Sequence, residues 1–180
     1  MLVVAHLDGV RAGPAANDNA SGVAAMLEVA RALRGRSGVL VAALGAEERV
    51  ETGASEHLGS KRLLAGISRA GRRRIRLALS LDMVGVGGTL NVLGLEPSPN
   101  RSARLAVAAA RRLGLRPVYR AGGDSDHAEL TRGGLPAAWI QWRWDRCWHS
   151  ACDVAARVRA GKLAVAVRLT VTAARTALRR

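Results

Sequence analysis

The residues equipped for chemistry fall in six places along the 180-residue chain. They are His6-Leu7-Asp8, the stretch Asn17-Asp18-Asn19-Ala20-Ser21-Gly22, Glu47-Glu48, Asp82, Ser125-Asp126-His127, and His149 with Asp153. Carboxylates and imidazoles are ligands of divalent metals, and carboxylates crowded together repel one another unless a cation sits among them. Two histidines with carboxylates suit zinc, and an extra carboxylate that can bridge suits two zinc ions. Taken singly, each of these residues is more often a cap or a hydrogen-bonded group. Their weight comes from where they stand, at the ends of successive apolar runs.

The elements that must carry them alternate between strand and helix. Residues 3–5 read as a buried strand delivering His6 to its carboxyl end, 39–44 as a second strand ending in Gly45-Ala46-Glu47-Glu48, and 77–81 as a third ending in Asp82. Between the first two, Val23, Met26, Leu27, Ala30 and Leu33 recur at helical spacing, giving a helix over 22–33 that stops near Gly35. Asp18 is therefore at or just before a helix start. Small residues there permit close approach to the backbone, and negative charge is favoured. A short helix around 57–64 follows the second strand. After Asp82 come a strand at 89–93 beyond the Gly87-Gly88 turn, and a helix over 100–113 with Asn100 as N-cap and Gly114 as its stop. A short strand at 117–119, a helix at 126–132, a strand at 136–140 and a closing helix over 161–178 complete the chain. The closing helix carries Leu163, Val167, Val171, Ala174 and Leu178 on one face. The fold class is α/β, a three-layer αβα sandwich with a mostly parallel mixed central sheet. In such folds ligands bind beyond the carboxyl ends of the strands, where the candidate ligands lie.

Composition limits the alternatives. A hydrophobic content of 49% fits one globular domain, and charge breaks every apolar run before the 18 or so residues a membrane span needs. The net charge of +14 invites a nucleic-acid reading, but 26 of the 28 basic residues are arginine spread over most of the chain. The one dense run, Arg72-Arg73-Arg74 with Arg76, lacks interleaved aromatics, so a solvated basic surface is expected and no nucleic-acid partner. No basic leader precedes the first strand. The chain as it stands is expected to be cytoplasmic, with export open if residues precede Met1.

In this order the motifs resemble the co-catalytic di-zinc aminopeptidases, the bacterial leucine-type enzymes related to glutamate carboxypeptidases and the transferrin receptor. The resemblance rests on His6-x-Asp8, Asn17-Asp18-Asn19-Ala20-Ser21-Gly22, Glu47-Glu48, Leu81-Asp82-Met83-Val84-Gly85, Ser125-Asp126-His127, Gly134-Leu135-Pro136-Ala137 and His149-x-x-x-Asp153. It implies a zinc-exopeptidase-like fold and removal of N-terminal residues from peptide substrates. By position, it implies that His6 and Asp82 ligate one zinc, that Glu48 and His149 ligate the other, and that Asp18 bridges the two. It further implies that Glu47 is the general base, that Asp8 orients His6, and that the peptide bond from Asp18 to Asn19 is cis. Asp126 and Asp153 are supporting residues, the first hydrogen-bonding to fix its loop and the second capping or tethering the loop that carries His149. Alternatives on the same scaffold are a carboxypeptidase or cyclase reaction, or a non-catalytic or truncated zinc-binding homologue.

Relatives carry a helix and strands ahead of the His-x-Asp strand. Residues 1–180 are expected to be a single catalytic domain without them, its sheet edge covered by the closing helix or by another subunit in a homo-oligomer. Trp148 stands where some relatives place a tyrosine. Trp139, Trp142, Trp144 and Trp148 could wall an apolar pocket or simply pack a loop, Asp124 and Glu129 are candidates to attract a substrate amine, and Cys147 and Cys152 are expected as free thiols.

Overall fold

A computed structural model describes residues 1–48 and 56–179. Six strands form one sheet: β1 Leu2–His6, β2 Leu40–Leu44, β3 Ala78–Leu81, β4 Thr89–Gly94, β5 Val118–Ala121 and β6 Ala137–Arg143. Their order across the sheet is β2-β1-β3-β6-β4-β5. All neighbours run parallel except β4 and β6, so the sheet is mixed. The four consecutive parallel strands β2, β1, β3 and β6 all end on one side, and it is those four ends that the candidate ligands follow.

Every side chain of β1 is buried. Val3 and Ala5 join a large core with Met26, Val29, Leu79 and Leu169, whereas Leu2 and Val4 join a smaller one with Leu64, Leu130 and Leu135. Such alternation is what a strand covered on both faces requires. On the larger core lie α1 Ser21–Ala32, α4 Arg101–Arg112 and α6 Ala160–Leu178; α2 Leu58–Gly66 and α5 Asp126–Arg132 cover the smaller. Three layers result. Asn100 caps α4 by accepting from the Ala103 amide at 3.0 Å, and Gly114 beyond its end takes a φ of 75°.

The helices sit on faces slightly rotated from those their large residues suggest. In α1 the buried stripe is Gly22, Ala25, Met26 and Val29, with Leu27 60% exposed. In α6 it is Ala166, Leu169, Thr170, Ala173, Ala174 and Ala177, with Val171 at its margin. Alanine and glycine win these positions because α6 packs on both α1 and α4, and small side chains let the axes approach. The closing helix therefore lies on one face of the sheet and not along its rim, where β2 is the edge strand and Leu40 is 44% exposed.

Among the described residues, along with a single 3-10 turn at Ala155–Arg157, one α-helix is additional to those read from the sequence, α3 Arg69–Arg74. Ser68 caps it by accepting from the Gly71 amide, and three arginines complement its C-terminal dipole. Arg72 in that run is structural: its guanidinium donates to the carbonyls of Ile67, Leu64 and Gly133. No helix among the described residues is long and apolar enough to cross a membrane.

Candidate metal centre

His6 ends β1, Asp82 follows β3 directly, and Glu47 and Glu48 follow β2 after Gly45-Ala46. Asp18 lies in a wide turn over Ala16–Ala20 that leads into α1. The Asp18–Asn19 peptide is cis, as the resemblance implies, and so is Arg143–Trp144. The two asparagines flanking Asp18 tie this turn to the loop after β3. Asn19 donates to the Leu81 carbonyl and accepts from the amides of Gly22 and Met83. Asn17 accepts from the Gly85 amide, and Ser21 Oγ from the Val84 amide. Gly22 has no room for a side chain, since a Cβ there would overlap the Leu81 carbonyl oxygen and Asn19 Oδ1. The sequence motif is thus a clasp that presses Asp18 and Asp82 together.

The two oxygens of Asp18 face different partners. His6 Nε2 lies 3.3 Å from Asp18 Oδ1 and 3.5 Å from Asp82 Oδ1. His149 Nε2 lies 3.2 Å from Asp18 Oδ2 and 3.0 Å from Glu48 Oε2. The five side chains named by the resemblance therefore meet as two His-carboxylate pairs with Asp18 between them. Donor atoms of His6, Asp18 and Glu48 lie within 4.8 Å of one another, as do those of His6, Glu47 and Asp82.

The electrostatics fit a cation. His6 Nε2 and Asp82 Oδ1 are buried with no hydrogen-bond partner among the described residues. Burial, then the Asp18 charge, pushes Glu48 up to about 8; burial also raises Asp18, with Asp82 adding to it. Burial, with a contribution from Asp82, pushes Glu47 up to about 7 against the pull of His57. Burial disfavours charge on His6, but the facing carboxylates of Asp18, Asp8 and Asp82 outweigh that and raise it. Carboxylates raised by burial and by one another form a donor set whose charge a divalent cation would balance.

Of the supporting residues, Asp153 tethers its loop as expected, whereas Asp8 and Asp126 act differently. Asp8 meets His6 Nδ1 with its main-chain carbonyl at 3.1 Å, its carboxylate being 3.7 Å away. That carboxylate instead accepts from the amides of Glu47 and Glu48, fixing both residues; burial opposes its charge, but these bonds and His6 hold it down at about 2. Asp153 tethers the turn of Asp18 to its own loop: its two oxygens accept from the Asn17 amide at 2.7 Å and the Asp18 amide at 3.0 Å. Asp126, with the Ser60 hydroxyl as the neighbour that favours its charge, meets no hydrogen-bond donor at bonding distance among the described residues. It is fully buried, both oxygens lack a partner among the described residues, and burial pushes it up to about 6.

Cys147 and Cys152 form a disulfide bracketing His149, correcting the expectation of free thiols. That expectation came from compartment, whereas the geometry of the short loop brings the two Cα atoms to 5.3 Å. Asp145 anchors the same loop, accepting from the Cys147 amide and Asn17 Nδ2 and pairing with Arg157.

A cavity of about 1040 Å³ opens over the cluster. Trp139, Trp144 and Trp148 wall it, with Met83, Leu93 and Tyr119, whereas Trp142 lies elsewhere, beneath Lys162. Asp124 lines it; Glu129 does not and pairs with Arg132 on α5. One residue without a role in the sequence reading stands here. His57 is buried, lines the cavity and touches Glu47.

Comparison with known proteins gives a consistent picture. The model of Peptidase family M28 matches residues 1–174. Aminopeptidase YwaD of Bacillus subtilis is 33% identical over 79% of this chain and 32% of its own length. Leupeptin-inactivating enzyme 1 of Streptomyces exfoliatus is 29% identical over 85% of this chain and 39% of its own. The chain thus spans roughly a third of the curated relatives it matches. Among solved structures, a zinc aminopeptidase from Bacillus subtilis superimposes with a TM-score of 0.88 at 29% identity, covering 98% of this chain and 45% of that one. An aminopeptidase from an Aneurinibacillus strain gives the same TM-score at 31% identity, covering 98% and 43%.

Proposed function

This chain belongs to peptidase family M28, and we propose that it acts as a zinc-dependent aminopeptidase that removes N-terminal residues from peptides with the help of two zinc ions. The observation that carries the reading is Asp18, whose two carboxylate oxygens each face a separate His-carboxylate pair. On this reading His6 and Asp82 hold one ion, Glu48 and His149 the other, and Asp18 both. When bound, the ions supply Lewis-acid chemistry, making a water a nucleophile near neutral pH and polarising the scissile carbonyl.

The rest of the work falls to the chain. Glu47 is buried beside His6 and Asp82 and on this reading acts as the base and not as a ligand. It accepts the proton of the attacking water and passes it to the leaving amine, the general acid-base role of a buried carboxylate beside the metal ligands. Asp8 holds the backbone of base and ligand together through the amides of Glu47 and Glu48. The tryptophan walls present apolar surface to a substrate side chain. Hydrolysis of an unblocked leucine anilide, lost on chelation, restored by zinc and absent for the acetylated anilide, is the expected result. Equal hydrolysis of the acetylated compound would contradict the reading.

A further inference from the structure

His57 is held against Glu47 from two directions. Its amide donates to the Glu47 carbonyl at 3.0 Å, and the next amide, Leu58, donates to Ala46 at 2.8 Å. Its own carbonyl accepts from Ser60 Oγ and the Lys61 amide. Its φ is 58°, in the left-handed region that is uncommon for residues other than glycine. The side chain turns into the site: Nε2 lies 3.3 Å from Glu47 Oε1 and 3.6 Å from Asp124 Oδ1. Glu47 is buried, whereas the Asp124 side chain is 68% exposed on the cavity wall.

We propose that His57 is a positioning residue for Glu47, holding the carboxylate in one rotamer toward the His6–Asp82 side, with Asp124 steadying the imidazole from the cavity. A carboxylate on a flexible side chain works as a base only if it points steadily at the proton it takes, and a misplacement of about 1 Å costs as much as a hundredfold in rate. The backbone bonds fix where Glu47 begins. Asp8 holds its amide and His57 its carbonyl, and the imidazole contact is what fixes where the carboxylate ends. Among the described residues Glu47, Asp124, Glu56 and the buried Asp126 lie near His57 as acidic groups that favour its donating a proton, with the buried ring of His127 beyond them. The inference rests on the reading of Glu47 as the base.

The test compares His57→Leu and His57→Gln in the zinc-loaded protein. His57→Leu is expected to lower kcat roughly ten- to a hundredfold with KM within about twofold and zinc content unchanged. His57→Gln, which keeps a donor, is expected to recover most of that loss. A kcat for His57→Leu equal to wild type, or a loss shared equally by both variants, overturns the proposal. A readout independent of turnover accompanies it: the imidazole nitrogen resonances of His57 are expected to shift in Glu47→Gln and in Asp124→Asn. Resonances unmoved in both overturn the contact itself. A wild-type protein that binds zinc but hydrolyses no anilide would remove the aminopeptidase reading, and the resonances would then decide the His57 contact alone.

Discussion

Replacing Asp153 by alanine tests how the two halves of the cluster are kept together. Asp153 closes the loop that carries His149, yet its carboxylate serves the turn that carries Asp18, 135 residues away in sequence. It accepts from two successive buried amides at 2.7 and 3.0 Å, and its own carbonyl accepts from a third, that of Ala16, at 3.2 Å. Alanine leaves the last of these and strands the other two. A buried donor without a partner costs about 1–3 kcal/mol, and two that share a partner do not add fully, so about 3–4 kcal/mol is expected. For a domain of this size that corresponds to a fall in Tm of about 10 °C. Asp153→Asn keeps one acceptor oxygen and is expected to lose about half as much. The assay is chemical unfolding of the metal-free protein, which separates the backbone contribution from zinc binding, followed by zinc titration. An unfolding free energy for Asp153→Ala within about 1 kcal/mol of wild type would refute the reasoning, because it would mean that the turn is held without the carboxylate.

Three further outcomes follow from the packing and charge. Gly22→Ala is expected to destabilise the fold and weaken zinc binding together, since the added methyl meets backbone at Leu81 and displaces Asn19; unchanged zinc affinity would argue against the clasp. His127 is buried beside Trp139, and burial pulls its ring down to about 4. The unfolded chain gains a proton through the ordinary value of 6.5 while the fold does not, so stability is complete above that pH. It falls as the pH drops from 6.5 toward 4, by about 3 kcal/mol in all, and this slope should be missing from His127→Leu in unfolding measured across that window. Reduction of Cys147–Cys152 is expected to lower stability by about 2 kcal/mol, the loop-entropy value for so short a closure, with a larger proportional loss in zinc affinity because the bridge brackets His149; thiol titration of the native protein should find no free thiol.

The strand ends were the most legible part of the chain. Leu2–His6 and Ala78–Leu81 are short apolar runs that stop at a histidine and just before an aspartate, and parallel pairing brings those stops to one side whatever the details of the connections. Helix existence was legible as well, from Asn100 and Gly114 for example. Helix faces were less so, because Leu27 and Ala25 compete for the same stripe and only the neighbouring α6 decides in favour of the smaller residue. Contacts that join distant loops leave no periodic trace. Nothing in the spacing of Asp153 says that it holds Asn17, and nothing local distinguishes His57 from a helix-capping residue until the chain folds it onto Glu47. The Cys147–Cys152 bridge is sterically open in the sequence, where only the compartment argument stands against it, and the fold of the loop overrides that argument.

The central claim is that Asp18 joins two metal positions served by Glu47. The most direct measurement is zinc content by elemental analysis of the wild-type chain and of Glu47→Gln, each assayed on a leucine anilide. Two zincs per chain in both proteins, with hydrolysis confined to the wild type, is expected. A single zinc in the wild type, or undiminished hydrolysis by Glu47→Gln, would contradict it.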